Sequence, residues 1–112
     1  MKKDIAERWV KALRSGEYKQ GTDGLRIPAP GGSYSYCCLG VLCHILVGDN
    51  ATTFEEGPTL PRSLMAKTGM RTVCGEYSPT EYSPTQALTS DNDRGADFST
   101  IADTIDKHWK EL

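Results

Sequence analysis

Tyr36-Cys37-Cys38-Leu39-Gly40-Val41-Leu42-Cys43-His44 is the stretch on which the fold turns. It holds three of the four cysteines and one of the two histidines inside a single apolar segment. From Cys38 to Val47 nearly every side chain is apolar, the pattern of a helix buried on every face. Its length and the terminal Gly48 favour helix over strand. Gly40 inside such a helix costs about 1 kcal/mol relative to Ala, so its presence predicts close packing against a neighbour.

On the N-terminal side, Leu25-Arg26-Ile27 and Ser33-Tyr34-Ser35-Tyr36 alternate apolar or aromatic with polar residues, around the turn formers Pro28-Ala29-Pro30-Gly31-Gly32. This predicts a hairpin whose prolines stay clear of central ladder positions. Asp4 to Ser15 predicts an amphipathic helix, with Ile5, Ala6, Trp9, Val10, Ala12 and Leu13 on one face and Gly16 as a left-handed cap. Glu17 to Gly24 reads as a polar loop. On the C-terminal side, Asp49 to Thr59 reads as an acidic loop and Leu60 to Lys67 as a short helix. Arg71–Cys74 and Gln86–Leu88 read as short strands, and Thr89 to Gly95 as a polar turn. Between those strands the pentapeptide Glu76-Tyr77-Ser78-Pro79-Thr80 is repeated as Glu81-Tyr82-Ser83-Pro84-Thr85, which reads as a lengthened surface loop. Asp97 caps a last helix with the stripe Phe98, Ile101, Ala102, Ile105 and Trp109. The expected fold is α+β, a single domain over residues 1–112. It has a buried cysteine-rich helix, amphipathic first and last helices, and a small antiparallel sheet.

Composition narrows the function. Hydrophobic content of 38% and charged content of 25% are those of a folded domain, and no apolar run approaches the ~20 residues of a membrane helix. With no signal-like apolar block after Met1, the expected location is a reducing cytoplasm, which favours free thiols over disulfides. Net charge is −2, but residues 1–26 carry a balance of +3 and residues 76–112 one of −5. An acidic chain is a poor ligand for nucleic acid polymers, whereas a local basic face can meet a small anion or an acidic partner.

No catalytic array stands out. Zinc ligation by Cys38, Cys43, His44 and Cys74 lacks the usual paired spacing. A cysteine hydrolase using Cys37 or Cys38 gains from the helix dipole but lacks a well-placed histidine, since only His44 and His108 exist. The remaining candidates form a binding set: Arg14, Arg26 and Arg94 for phosphates, Tyr18 and Tyr36 for stacking, and Gln20, Asn92 and Asp93 for base edges or ribose hydroxyls. No cofactor and no metal are expected.

Arg8-Trp9-Val10-Lys11-Ala12-Leu13-Arg14-Ser15-Gly16-Glu17-Tyr18-Lys19-Gln20-Gly21, together with Tyr36 to Cys43, resembles a group of small proteins encoded by bacteriophages and prophages. Those proteins end similarly in an Asn-Asp turn and a Phe-x-x-Ile-Ala-Asp helix, here Asn92-Asp93 and Phe98 to Asp103. His44 departs from the acidic residue common after the Cys43 position, and the pentapeptide repeat is a second departure. The resemblance implies a phage accessory protein in a bacterial cytoplasm and carries over no catalytic or binding residue. The leading expectation is a non-catalytic, oligomeric protein that sequesters a small anionic ligand, a nucleotide immune signal of cyclic or ADP-ribose type. The alternatives are an inhibitor that binds a host protein, and a cysteine-dependent hydrolase.

Overall fold

The apolar stripe Ile5, Ala6, Trp9, Val10 and Leu13 forms helix α1 (Lys3–Arg14), and in the computed structural model, which describes all of residues 1–112, every member of that stripe is buried. Strands β1 (Lys19–Gln20), β2 (Arg26–Pro28) and β3 (Tyr34–Tyr36) follow, with a single 3-10 turn at Pro30–Gly32. Helix α2 (Cys38–Val47) leads to a one-turn helix α3 (Ala51–Glu55) and to α4 (Arg62–Thr68), which ends on Gly69 in the left-handed region. Strands β4 (Glu76–Tyr77) and β5 (Gln86–Ala87) precede α5 (Leu88–Asp93) and α6 (Phe98–His108). One cluster of 23 buried apolar residues runs through all of these helices except α3.

The cysteine-rich helix is the centre of that cluster. Cys38 through Cys43 are buried, whereas His44 to Val47 are half-buried because the last turn reaches the surface. The expectation of burial on every face therefore holds for the first six residues and not for the final turn. Gly40 has a geometric reason: a Cβ there would lie 1.7 Å from the Leu25 carbonyl oxygen. The same carbonyl accepts the Cys37 N–H at 3.3 Å, so the chain before β2 rests directly on the helix start. On the opposite side the buried Trp9 donates its indole N–H to the Cys38 carbonyl at 2.8 Å. This satisfies a polar group that burial would otherwise leave unpaired.

Five local expectations need correction, the first being the pentapeptide repeat, which is not all surface loop because Glu76–Tyr77 is the strand β4 with Tyr77 buried. The hairpin β2–β3 is antiparallel, but β1 adds to it in parallel, giving a mixed sheet of order β1-β3-β2. A two-residue strand is too short to display alternation, so Lys19–Gln20 reads as loop from sequence. Arg71–Cys74 is a bend and turn rather than a strand. Its Val73 carbonyl and Arg71 N–H bond to Leu60 and Leu112 instead of to a neighbouring strand. Thr89–Gly95 is not a turn: Leu88–Asp93 is the helix α5, held by the buried Leu88 and Asn92 at its two ends. Asp49–Thr59 contains α3, capped by the Asn50 side chain on the Thr53 N–H. Both missed helices are a turn or so long and mostly polar, and packing rather than propensity makes them.

The charge asymmetry of the chain closes on itself. Helices α1 and α6 pack along each other, and Arg14 of α1 forks onto Asp103 and Asp106 of α6. The basic N-terminal segment thus meets the acidic C-terminal one within the same molecule. No helix is long and apolar enough to cross a membrane.

Candidate functional site

The eight residues with binding chemistry fall into separate places. Tyr18, Tyr36 and Arg26 share one face of the sheet region. The Tyr18 and Tyr36 rings meet edge-on at 5.1 Å, and both pack edge-on against His44. The Tyr18 hydroxyl bonds His44 Nδ1 at 2.7 Å, and His44 Nε2 lies 3.2 Å from Asp49. Burial raises the Tyr18 phenol above its ordinary value, with the neighbouring Tyr36 adding to the shift. Arg26 sits between the Tyr34 and Phe54 rings at 4.1 Å from each and pairs with Asp49 at 3.1 Å, leaving its side chain 10% exposed. Its guanidinium is therefore already engaged by two aromatic rings and a carboxylate.

Gln20 and Asn92 form a buried joint. Asn92, 1% exposed, donates to the Gly21 carbonyl at 2.8 Å. Its Oδ1 accepts from Gln20 Nε2 at 2.9 Å and from the Cys38 N–H at 3.2 Å. Gln20 also donates to the Ala96 carbonyl at 2.7 Å. This joint ties β1, α5 and the start of α2 together and presents no free donor to a ligand. Arg14 is spent on α6, as described. Asp93 shares a narrow crevice with Asp23, Gly24, Cys37, Pro58 and Thr89, of about 20 Å³. That space suits about one water molecule.

Arg94 stands apart from the other two arginines. It enters none of the five ion pairs in the structure and lies exposed at the end of α5. It lines a cleft of about 320 Å³ with Tyr77, Asp91, Ala96, Thr100, Ile101 and Thr104. Asp91 sits one turn back on α5, and Thr100 and Thr104 lie four apart on one face of α6. The Tyr77 hydroxyl bonds both the Asp91 carboxylate and Gln86 Oε1. Burial, and then the bond to Asp91, raises the Tyr77 phenol well above its ordinary value, so it stays a neutral donor to the carboxylate. The cleft combines one free guanidinium, one carboxylate oriented by a phenol, and two hydroxyls. Neither composition nor spacing marks Tyr77, Thr100 or Thr104 for binding, and Asp91 reads from sequence as one of a carboxylate pair with Asp93 in a turn or cap before the last helix. The i, i+4 threonines on an otherwise apolar-striped helix are the one sequence signal that marks that face.

The thiols are set against reactivity. Cys37 caps α2, its sulfur accepting the Gly40 N–H at 3.4 Å. Burial nevertheless pushes the thiols of Cys37 and Cys38 up, and that of Cys43 up to about 12. At Cys37 and Cys38 desolvation outweighs the N–H groups of the first turn of α2. Neither histidine serves them: His44 bonds Tyr18 and Asp49, and His108 bonds Glu111 at 3.1 Å. The His, Cys, Asp and Glu side chains form no group of three with metal-ligand geometry.

These features define a small α+β domain with a polar cleft at the junction of α5 and α6 that holds one guanidinium and one carboxylate. The chain belongs to the family described as a domain of unknown function, DUF8296, whose model matches residues 1–83. No curated protein and no solved structure matches it.

Proposed function

We propose that the protein is a non-catalytic binding protein that sequesters a small anionic ligand at the Arg94 cleft. It would act as a phage accessory protein that removes a nucleotide immune signal from a bacterial cytoplasm. The observation that carries this reading is the unpaired guanidinium of Arg94 over a cleft that also offers Asp91, Thr100 and Thr104. A guanidinium is the side chain best suited to a phosphate, and a nearby carboxylate accepts hydrogen bonds from ribose hydroxyls. The cleft, about 320 Å³, lies at the lower end of the ~300–1,000 Å³ of small-molecule sites. That volume fits one nucleotide unit rather than a polymer. A ligand with two such units would need the cleft of a second copy, which is why a homo-oligomer belongs to the proposal. Of the eight binding candidates, Arg94 holds the phosphate in this reading, and Asn92 and Gln20 keep α5 in place behind it. Arg14, Arg26, Tyr18 and Tyr36 serve the fold.

The test is calorimetric titration with ADP-ribose and, separately, with a cyclic dinucleotide. A charge-assisted bond contributes roughly 1.5–3 kcal/mol, so Arg94→Ala should weaken binding about tenfold or more while leaving the thermal midpoint in place. Absence of binding by the unaltered protein to either nucleotide overturns the proposal.

A second reading, inhibition of a host protein through an exposed face, has its own observation. Tyr82 is 93% exposed at the outer part of the duplicated loop, and tyrosine is among the residue types enriched at interface hot spots. It predicts a stable complex with one host protein and an apo mass for the purified chain by native mass spectrometry.

A further inference from the structure

The pentapeptide repeat puts two identical segments in opposite environments. Tyr77 of the first copy is 7% exposed and Tyr82 of the second is 93% exposed. The first copy makes the contacts with the rest of the fold, whereas Ser83 of the second bonds only Thr80 of the first. Its Glu76 and Tyr77 pair with Ala87 and Gln86, and its tyrosine hydroxyl bonds Gln86 and Asp91. The Tyr77 ring also lies against His108 at 5.0 Å. Its Glu76 N–H donates to Thr72 Oγ1 at 2.8 Å, and its Ser78 N–H donates to Glu111 Oε2 at 2.8 Å. The Tyr77 contacts depend on nothing that distinguishes the first copy from the second, whereas the Glu76 bond to Thr72 is a local contact of the first copy.

We infer that the two copies compete for one socket, so that Tyr82 can take the place of Tyr77 by a five-residue slip of the hairpin. In the slipped register Glu81 and Tyr82 pair with Ala87 and Gln86, and the connection shrinks from residues 78–85 to Ser83-Pro84-Thr85. Three-residue connections are among the common hairpin loops, and Pro84 in the connection removes no ladder donor. Residues 76–80 then leave the sheet as a loop between Gly75 and Glu81. Gly75, whose carbonyl accepts the Leu88 N–H at 3.0 Å in the observed register, gives that bond up in the slipped one, where Thr80 precedes the paired glutamate. The side chains offered to the socket are the same in both registers. The slipped register forgoes the Glu76 bond to Thr72 and the Gly75 bond to Leu88, while loop closure itself depends weakly on length. Tyr77 also walls the Arg94 cleft on one side and, on the other, a cleft lined by Arg71, Thr72, Glu76, Ser78, Thr85 and Glu111. A slip thus rebuilds the rim of the binding site with a chemically identical wall. This inference stands on the hairpin alone and does not depend on which ligand, if any, the cleft takes.

The experiment is a double-mutant cycle in urea on Tyr77→Ala, Tyr82→Ala and the double variant, with 3-fluorotyrosine in place of tyrosine for ¹⁹F NMR. With exchange, Tyr82→Ala leaves the folding constant unchanged and Tyr77→Ala lowers it modestly. The double variant falls about tenfold or more below Tyr77→Ala, because no tyrosine is left to fill the socket. In Tyr77→Ala the Tyr82 fluorine moves to the buried resonance position. A double variant less than about tenfold below Tyr77→Ala, or a Tyr82 fluorine that keeps its exposed shift, overturns the inference. Deleting residues 81–85 supplies a second check, because it yields the same sequence as deleting 76–80 and forces the three-residue connection. This protein should fold with its one tyrosine of the repeat buried, and failure to fold likewise overturns the inference.

Discussion

Asn92 shows how a residue with ligand-binding chemistry can be consumed by the fold. Its amide serves three backbone or side-chain partners from the 1%-exposed interior, at the point where β1, α5 and the N-terminus of α2 meet. Asn92→Ala strands the Gly21 carbonyl, the Cys38 N–H and one Gln20 donor. At ~1–3 kcal/mol for a buried group left unpaired, the expected loss is about 3 kcal/mol, read from the urea midpoint at unchanged slope. Asn92→Asp should be little better, since it restores the acceptor but buries a charge beside the Gly21 carbonyl. Gly40 is the steric counterpart. A methyl group there lands within the Leu25 carbonyl, and backbone cannot yield as a side-chain tip does, so Gly40→Ala should cost about 3 kcal/mol or more in the same assay. Two of the eight binding candidates, Gln20 and Asn92, are thus fold residues that sequence alone does not separate from site residues. An amide looks the same whether its partners are a ligand or the chain's own carbonyls.

At the scale of elements, what was legible in the sequence was whatever repeats along a helix. The stripes of Trp9 and its neighbours and of Ile101 and Ile105, the apolar run from Cys38, and the Asp97 cap each became the expected element. What escaped was short and set by distant partners: β1 exists because β3 lies beside it, and α5 because Leu88 and Asn92 are drawn into the core. The cleft escaped for the same reason, since it is assembled from β4, α5 and α6 and has no contiguous motif. The cap of α6 offers a prediction at this scale. The Thr100 N–H donates to Asp97 Oδ1 at 2.8 Å, and this bond holds the Asp97 carboxyl below its ordinary value. A carboxylate whose pKa is depressed in the folded state contributes fully above the unfolded value of about 3.8, and that contribution is lost as pH falls through the folded value. Asp97→Asn keeps a capping oxygen without the charge. Its urea midpoint should therefore fall less steeply than that of the unaltered protein between about pH 5 and pH 3. Parallel acid limbs for the two proteins would show that the cap bond does not carry the pH dependence.

Across the whole molecule, the cysteines report how completely the layers close. Three of the four thiols lie in the segment that α1, α5 and the sheet cover, and only Cys74, beside the β4–β5 hairpin, is half-exposed. Thiolate is the reactive form, and burial raises every one of these thiols, so access and ionisation act in the same direction. A maleimide or iodoacetamide time course on the native protein should therefore modify Cys74 first and alone. Its rate should be below that of a free cysteine at pH 8. Because its thiol titrates above the ordinary value near 9, that rate should still be climbing above pH 9. Cys37, Cys38 and Cys43 should follow together, at a rate set by opening of the core rather than by reagent concentration once reagent is in excess. Destabilising the joint at Asn92 should accelerate those three without changing Cys74. Tyr77→Ala/Tyr82→Ala, which empties the socket next to Cys74, should do the reverse at early times. Fast, isolated modification of Cys37 would instead place an open path to the start of α2. That single result would return the cysteine to consideration as a chemical group rather than a core residue.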